Sequence, residues 1–83
     1  MEGDVEYRIK SVMSNVFELP LKRITEKSSS ENISSWDSLS QIQLTLALEE
    51  EFRLDLSPDE ISQLLNFEQI KNIITKKLHP SNL

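Results

Sequence analysis

The chain has 83 residues, a formal net charge of −5 and no cysteine. This length predicts one domain, and a chain of this size buries only about 60% of its unfolded surface, so its core is thin. The lack of cysteine excludes disulfides, thiolate metal sites and a cysteine nucleophile. The acidic balance argues against nucleic acid as a partner, because neutralising phosphates requires clustered Lys and Arg.

We expect the chain to carry neither a membrane span nor a secretion signal. No apolar run approaches the roughly 20 residues that span a bilayer, and Met1-Glu2-Gly3-Asp4 lacks the basic and apolar regions of a signal peptide. We expect a monomeric cytoplasmic protein without membrane insertion, with a core from about residue 4 to 78 and a C-terminal tail at 79–83. The single histidine, His79, is expected to be a solvated tail residue.

The first helix is predicted from about Asp4 to Phe17, with Asp4 as its N-cap. Its apolar residues are spaced to form one buried face, consisting of Val5, Ile9, Val12, Met13, Val16 and Phe17. The helix should stop before Pro20, because the residue before a proline disfavours helical geometry. Between Glu18 and Trp36 the apolar residues no longer follow a helical spacing. A long ordered loop is predicted there, pinned by the aliphatic residues Leu19, Leu21, Ile24 and Ile33.

The second helix is predicted to begin at Asp37 or Ser38 and to end around Arg53. Projected at about 100° per residue, its apolar residues fall on two opposite sides. The core stripe consists of Leu44, Leu48 and Phe52, with Thr45 beside it. The outer stripe consists of Leu39, Ile42 and Leu46, flanked by Gln43, Glu49 and Glu50. Because one apolar stripe is enough to join a core, the outer stripe is predicted to be a docking surface.

Two further helices complete an all-α prediction. Ser57-Pro58-Asp59-Glu60 is a capping-box pattern with proline at the first helical position. It starts a short third helix that carries Ile61, Leu64 and Leu65. Asn66 then interrupts the pattern, and a final amphipathic helix carries Phe67, Ile70, Ile73, Ile74 and Leu78. We predict a four-helix bundle with a short third helix and a long loop between helices one and two. The core stripe is expected to meet Ile9, Met13, Phe17, Leu64 and Ile74.

Ser38 at the start of the second helix has two interpretations. Ser38-Leu39-Ser40-Gln41 matches a capping box, although Asp37 could be the N-cap and leave Ser38 at the first helical position. Alternatively, Ser38 is a modification site, since a helix N-terminus tolerates the negative charge of a phosphodiester. A serine nucleophile is disfavoured because no histidine base lies in the ordered part of the chain. No convergent set of acid, base and nucleophile indicates an enzyme.

Asp37-Ser38-Leu39, followed by Leu48-Glu49-Glu50-Glu51-Phe52 and Ser57–Glu60, resembles the acyl carrier protein family from Val5 to about Leu78. The resemblance implies that Ser38 accepts 4′-phosphopantetheine from coenzyme A through a phosphopantetheinyl transferase. The arm then carries acyl groups as thioesters, and the protein itself catalyses nothing. Asp37 and Leu39 adjoin the arm, and Asp37 would help to engage the transferase and its metal ion.

The docking surface implied by this resemblance comprises Leu39, Ile42, Gln43, Leu46, Glu49 and Glu50. Its partners would be the transferase, an acyl- or aminoacyl-loading enzyme, and downstream synthases or acyltransferases. Ser40 and Gln43 stand where carriers of bulk fatty-acid synthesis usually have acidic residues. Ser34-Ser35-Trp36 stands before Asp37-Ser38, where other members of the family have small residues that include glycine. The pathway therefore stays open among fatty-acid, polyketide and specialised biosynthesis.

Two other functions share parts of this pattern. An aminoacyl or peptidyl carrier, loaded by an adenylating enzyme, uses the same serine and arm. A helical interaction module would use Ser38 only as a cap. A cleft for an alkyl chain and ordinary core packing are both compatible with the set Leu44, Leu48, Ile61, Leu64 and Phe67, and core packing is the simpler interpretation. Thr45 is expected to bond back to the Gln41 carbonyl rather than to touch a polar cargo.

Overall fold

The computed structural model describes residues 2–78, which form four α-helices in the predicted order. They are α1 (Glu2–Phe17), α2 (Ser38–Phe52), α3 (Pro58–Ser62) and α4 (Phe67–Leu78), with a 3-10 turn at Leu21–Arg23 between α1 and α2. In this range there is no strand, and an isolated bridge pairs Ser29 with Asn66. The all-α prediction with a short third helix is confirmed. The predicted tail at 79–83, with His79, lies outside the described residues.

The core lies between α1, α2 and α4. Leu44 and Leu48 of α2 are fully buried, and Phe52 is nearly so. The partners predicted for this stripe are also buried, namely Ile9, Met13, Phe17, Leu64 and Ile74. On the opposite side of α2, the outer stripe stays in solvent, with Leu39, Ile42 and Leu46 exposing 64%, 58% and 61% of their surfaces. The division of α2 into a core stripe and an outer stripe is confirmed.

The start of α1 differs from the prediction. The helix begins at Glu2, so Asp4 lies inside its first turn and is not the N-cap. An acidic residue in the first turn interacts favourably with the helix dipole without capping the helix. The predicted end at Phe17 is confirmed, and Glu18 leaves the helix with a positive φ of 56°. None of the helices in residues 2–78 is long and apolar enough to cross a membrane.

The loop between α1 and α2 is pinned by most of its predicted anchors. Ile24 and Ile33 are buried, and the partly buried Leu19 packs against the core. Leu21 is an exception, with 37% of its surface exposed. The reason is the 3-10 turn Leu21–Arg23, none of whose residues is buried.

The third helix is shorter than predicted, because the chain leaves α3 after Ser62. Leu64 and Leu65 therefore lie in the connection to α4 rather than on the helix. This connection bonds to the long loop: Ser30 N–H donates to the Leu65 carbonyl at 2.9 Å, and Phe67 N–H donates to the Ser28 carbonyl at 2.9 Å. Leu64 is fully buried, whereas Leu65 exposes 48% of its surface.

Side-chain caps fix the starts of three helices. The capping box of α3 is confirmed, since Ser57 Oγ accepts from Glu60 N–H and Glu60 Oε1 accepts from Ser57 N–H. At α4, Asn66 Oδ1 accepts from Gln69 N–H at 2.8 Å. At α2, Asp37 Oδ1 accepts from Ser40 N–H at 2.9 Å. This last bond lowers the pKa of the Asp37 carboxyl below its ordinary value.

The two stripes of α2 predict opposite effects of truncation. Leu48→Ala removes a fully buried side chain, and such changes cost about 2–5 kcal/mol, a large part of a small domain's stability. Ile42→Ala removes an exposed side chain, so the free energy of unfolding should change by no more than about 0.5 kcal/mol. Thermal unfolding of both variants in one buffer measures the contrast. Equal destabilisation by the two changes would show that the outer stripe is buried.

Asp37 should make the stability of α2 depend on pH. Its pKa is lower in the folded chain, so its stabilising contribution is present above the ordinary aspartate pKa of about 3.9 and is lost as pH falls through the folded value. Asp37→Asn retains a capping oxygen but cannot ionise. Melting temperatures should therefore differ at neutral pH and converge in acid. The exposed Asp55, changed to Asn, controls for net charge. A difference for Asp37→Asn that stays constant across the series would contradict this assignment.

Candidate functional site

Ser38 is the first residue of α2, and Asp37 before it is the N-cap. The sequence left either Ser38 or Asp37 as the N-cap of this helix, and the structure has Asp37 in that position. The predicted capping box between Ser38 and Gln41 is not formed. Ser38 is exposed, and no side-chain hydrogen bond within the described residues uses its hydroxyl. The hydroxyl is therefore open to an incoming reactant.

The electrostatic surroundings of Ser38 suit a phosphodiester. The hydroxyl lies at the N-terminal end of a 15-residue helix, where the helix dipole favours negative charge. Asp37 places an exposed carboxylate beside it, and the hydrogen bond from Ser40 N–H, which lowers the pKa of that carboxyl, fixes its orientation. A partner's cation could be held by this carboxylate, whereas no group of three His, Asp or Glu in residues 2–78 could hold a metal ion alone.

Hydrogen bonds from two serines fix the chain on either side of Ser38. Ser35 Oγ donates to the Phe17 carbonyl at the end of α1, at 3.0 Å. Ser40 Oγ donates to the Ser35 carbonyl at 2.6 Å. The end of α1, the loop and the first turn of α2 are thus joined by two bonds, and the Ser38 hydroxyl lies on a segment held at both sides.

Gln41 joins three parts of the chain beside Ser38. Its Oε1 accepts from the Trp36 indole N–H at 2.6 Å. Its Nε2 donates to the Ile61 carbonyl at 3.3 Å and to the Leu64 carbonyl at 3.0 Å. The Gln41 backbone carbonyl accepts from Thr45 Oγ1 at 2.9 Å, which confirms the bond predicted for Thr45. We call this arrangement of Trp36, Gln41, Ile61 and Leu64 the Gln41 bridge.

An open groove lies next to Ser38, between α2 and the region of α3. It has a volume of about 570 Å³ and its walls include Trp36, Ser38, Gln41, Ile42, Ile61 and Leu65. Of the residues proposed from sequence as a possible cleft lining, Ile61 alone reaches this groove. The other four are fully buried core residues, namely Leu44, Leu48, Leu64 and Phe67. In this structure those four side chains pack in the core.

The residues predicted to form a docking surface lie along α2, and all of them except Glu49 are exposed. Gln43 and Glu50 are exposed beside the outer stripe. Glu49 is half-buried, and its Oε2 accepts from Leu56 N–H at 2.9 Å. Glu49 thus also ties α2 to the segment before α3. A shallow pocket of about 460 Å³ lies at this end of α2, with walls that include Leu46, Glu50 and Arg53.

Sequence analysis missed the structural roles of Trp36 and Gln41. Trp36 exposes only 7% of its surface, and its ring lies 4.6 Å from that of Phe17. One signal was available, because a buried indole N–H requires an acceptor and Gln41 follows in the next turn. Periodicity could not reveal the contact of Gln41 with Ile61 and Leu64, which are 20 and 23 residues away.

Comparisons with known proteins agree with this geometry. Three proteins named acyl carrier protein are similar to the chain. One from Buchnera aphidicola subsp. Schizaphis graminum is 28% identical over 75 residues, covering 90% of this chain and 95% of that protein. One from Guillardia theta is 23% identical over 77 residues, covering 93% and 95%.

The third, from Buchnera aphidicola subsp. Baizongia pistaciae, is 30% identical over 73 residues, covering 88% of this chain and 94% of that protein. No protein-family model matches the chain. The identity to the third relative extends over nearly the full length of both proteins and agrees with the all-α fold. The chain belongs to the acyl carrier protein family.

Proposed function

We propose that this chain forms one carrier domain in which Ser38 holds a covalent 4′-phosphopantetheine arm. The observation that carries the proposal is the exposed Ser38 hydroxyl, which has no hydrogen-bond partner among the described residues and lies at the N-terminus of α2. Membership of the acyl carrier protein family supports it. When bound, the arm supplies a terminal thiol that carries acyl groups as thioesters.

Attachment of the arm requires one bond exchange at Ser38. The Ser38 oxygen forms a bond to the phosphorus of coenzyme A that bears pantetheine, and the pyrophosphate bond to that phosphorus breaks. Adenosine 3′,5′-bisphosphate leaves, and the hydroxyl proton passes to a base of the transferase. The chain itself contributes the positioned hydroxyl and the positive end of α2, which stabilises the new phosphodiester.

The residues on either side of Ser38 have distinct proposed roles. The exposed Asp37 carboxylate would help to engage the transferase and its metal ion, and its bond to Ser40 N–H fixes its orientation. Leu39 exposes 64% of its surface directly after the serine. It would provide an apolar contact for enzymes that reach the arm.

The outer stripe, with Gln43, Glu49 and Glu50, is the proposed surface for the transferase, the loading enzyme and downstream synthases or acyltransferases. Exposed aliphatic residues would provide affinity, and the acidic flank would provide orientation and rate of encounter. A helical interaction module would use the same outer stripe without an arm on Ser38, and a capping role for Ser38 has no support, since Asp37 is the N-cap. Fatty-acid, polyketide and aminoacyl pathways all use the same serine, so the proposal extends to the arm and not to the pathway.

The first test is transfer of the arm to Ser38. Incubation with coenzyme A and a broad-specificity phosphopantetheinyl transferase should raise the intact mass by one arm. Ser38→Ala should abolish the increase while the free energy of unfolding changes by no more than about 0.5 kcal/mol, because the hydroxyl is exposed and unbonded. Ser34→Ala, at an exposed serine four residues earlier, is the matched control. Arm transfer to folded Ser38→Ala would refute the assignment.

The acidic residues beside the outer stripe predict that the rate of arm transfer depends on salt concentration. Glu50 is exposed and, unlike Glu49, has no side-chain hydrogen bond within residues 2–78. Glu50→Lys should slow arm transfer at low ionic strength, and the difference should shrink as salt is added, because screening acts over about 8 Å at physiological ionic strength. Glu68→Lys makes the same charge change on α4. Equal transfer rates for wild type and Glu50→Lys at low salt would remove Glu50 from the docking surface.

A further inference from the structure

Gln41 occupies the boundary between the groove beside Ser38 and the helical core. It lies three residues after Ser38, about one turn along α2. On the solvent side it forms part of the groove wall with Trp36, Ile42, Ile61 and Leu65. On the core side, its bonds to Ile61 and Leu64 join α2 to the backbone of α3 and of the segment after it. Leu64 itself is fully buried.

The Gln41 bridge occupies the direct route from the groove into the core. An alkyl chain passing between α2 and α3 at this point would have to displace the Gln41 carboxamide. That movement would break three hydrogen bonds and remove the side-chain partners of the Trp36 N–H and the Leu64 carbonyl, whereas the Ile61 carbonyl would keep its bond from Leu64 N–H. Partly buried polar groups that lose their partners are costly. Behind the bridge, Leu44, Leu48 and Phe67 are fully buried, so entry would also require the core to expand.

The groove is suited to a different kind of cargo. Ile42, Ile61 and Leu65 give it apolar walls, and Ser30 and Ser62 add hydroxyl groups to its lining. Ile42 and Leu65 remain about half exposed or more, at 58% and 48%. An acyl group lying here would keep much of its surface in water. Lengthening an alkyl chain in such a groove would add little burial, and therefore little stabilisation.

We propose that Gln41 determines cargo specificity by closing the route between α2 and α3, so that the carrier holds short or polar acyl groups outside its core. This inference rests on the proposed function, because it requires an arm on Ser38. The predicted cargo is the class of acyl and aminoacyl groups that need no buried alkyl pocket. Long-chain alkyl thioesters would remain in water and be carried poorly.

The test compares acyl chain lengths on three proteins: wild type, Gln41→Ala and Gln63→Ala. Gln63 is the matched control, because it is an exposed glutamine outside both the groove and the docking surface. A broad-specificity transferase is supplied with acetyl-, hexanoyl- or decanoyl-coenzyme A, and intact mass verifies loading. The melting temperature is then measured for each loaded protein.

In wild type and Gln63→Ala, the melting temperature should differ by less than about 2 °C between acetyl and decanoyl forms. In Gln41→Ala it should rise with chain length, by about 4 °C or more, because the longer chain gains access to the core. A rise in wild type equal to that in Gln41→Ala would overturn the inference and leave the proposed function intact. Failure of the arm to attach to Ser38 in any of the proteins would overturn both.

A second measurement on the wild type does not depend on the variant folding. Nuclear Overhauser contacts are recorded from the decanoyl chain to side chains of the protein. The inference predicts contacts to groove residues such as Trp36, Ile42 and Leu65. Contacts to the methyl groups of Leu44 or Leu64 would place the chain inside the core and overturn the inference.

Discussion

The hydrogen bonds of the Gln41 carboxamide are the interaction on which the site depends. This single side chain accepts from the Trp36 indole and donates to the Ile61 and Leu64 carbonyls. It thereby joins the end of the long loop, the first turns of α2 and the region of α3. Bonds of this kind, in a partly buried setting, are costly to break. The bridge holds together three of the elements that form the groove, with Ser38 on its edge.

The helix α2 combines three features: a buried side, an exposed apolar side, and an N-terminal turn with an exposed serine. Leu44, Leu48 and Phe52 bury one side in the core, while the outer stripe leaves a second side open to partners. Near the N-terminus of α2, the Ser38 hydroxyl forms no hydrogen bond within the described residues, whereas the Gln41 carboxamide forms three. Because Asp37 supplies the cap, the Ser38 hydroxyl is not needed to hold the helix. Because of this separation of roles, the Ser38 hydroxyl can be exposed without weakening the fold.

Features set by local pattern could be predicted from the sequence, and features set by distant contacts could not. The two stripes of α2, the capping box at Ser57 and the bond from Thr45 all depend on spacings within a turn or two. The prediction that α3 extends to Leu65 was wrong. The Leu65 carbonyl instead accepts a hydrogen bond from Ser30 N–H, which is far away in the chain. Glu49 was assigned only to the docking surface, since nothing local indicates its bond to Leu56 N–H. Gln41 was assigned to a capping box for the same reason.

The most direct measurement of the central claim is the mass of the protein isolated from its own cells. Intact mass followed by fragmentation identifies any group on the chain and the residue that bears it. The account predicts a 4′-phosphopantetheine arm on the peptide containing Ser38, with a short or polar acyl group on the loaded fraction. A chain that is unmodified at Ser38 under all growth conditions, or that bears the arm on another residue, would contradict it.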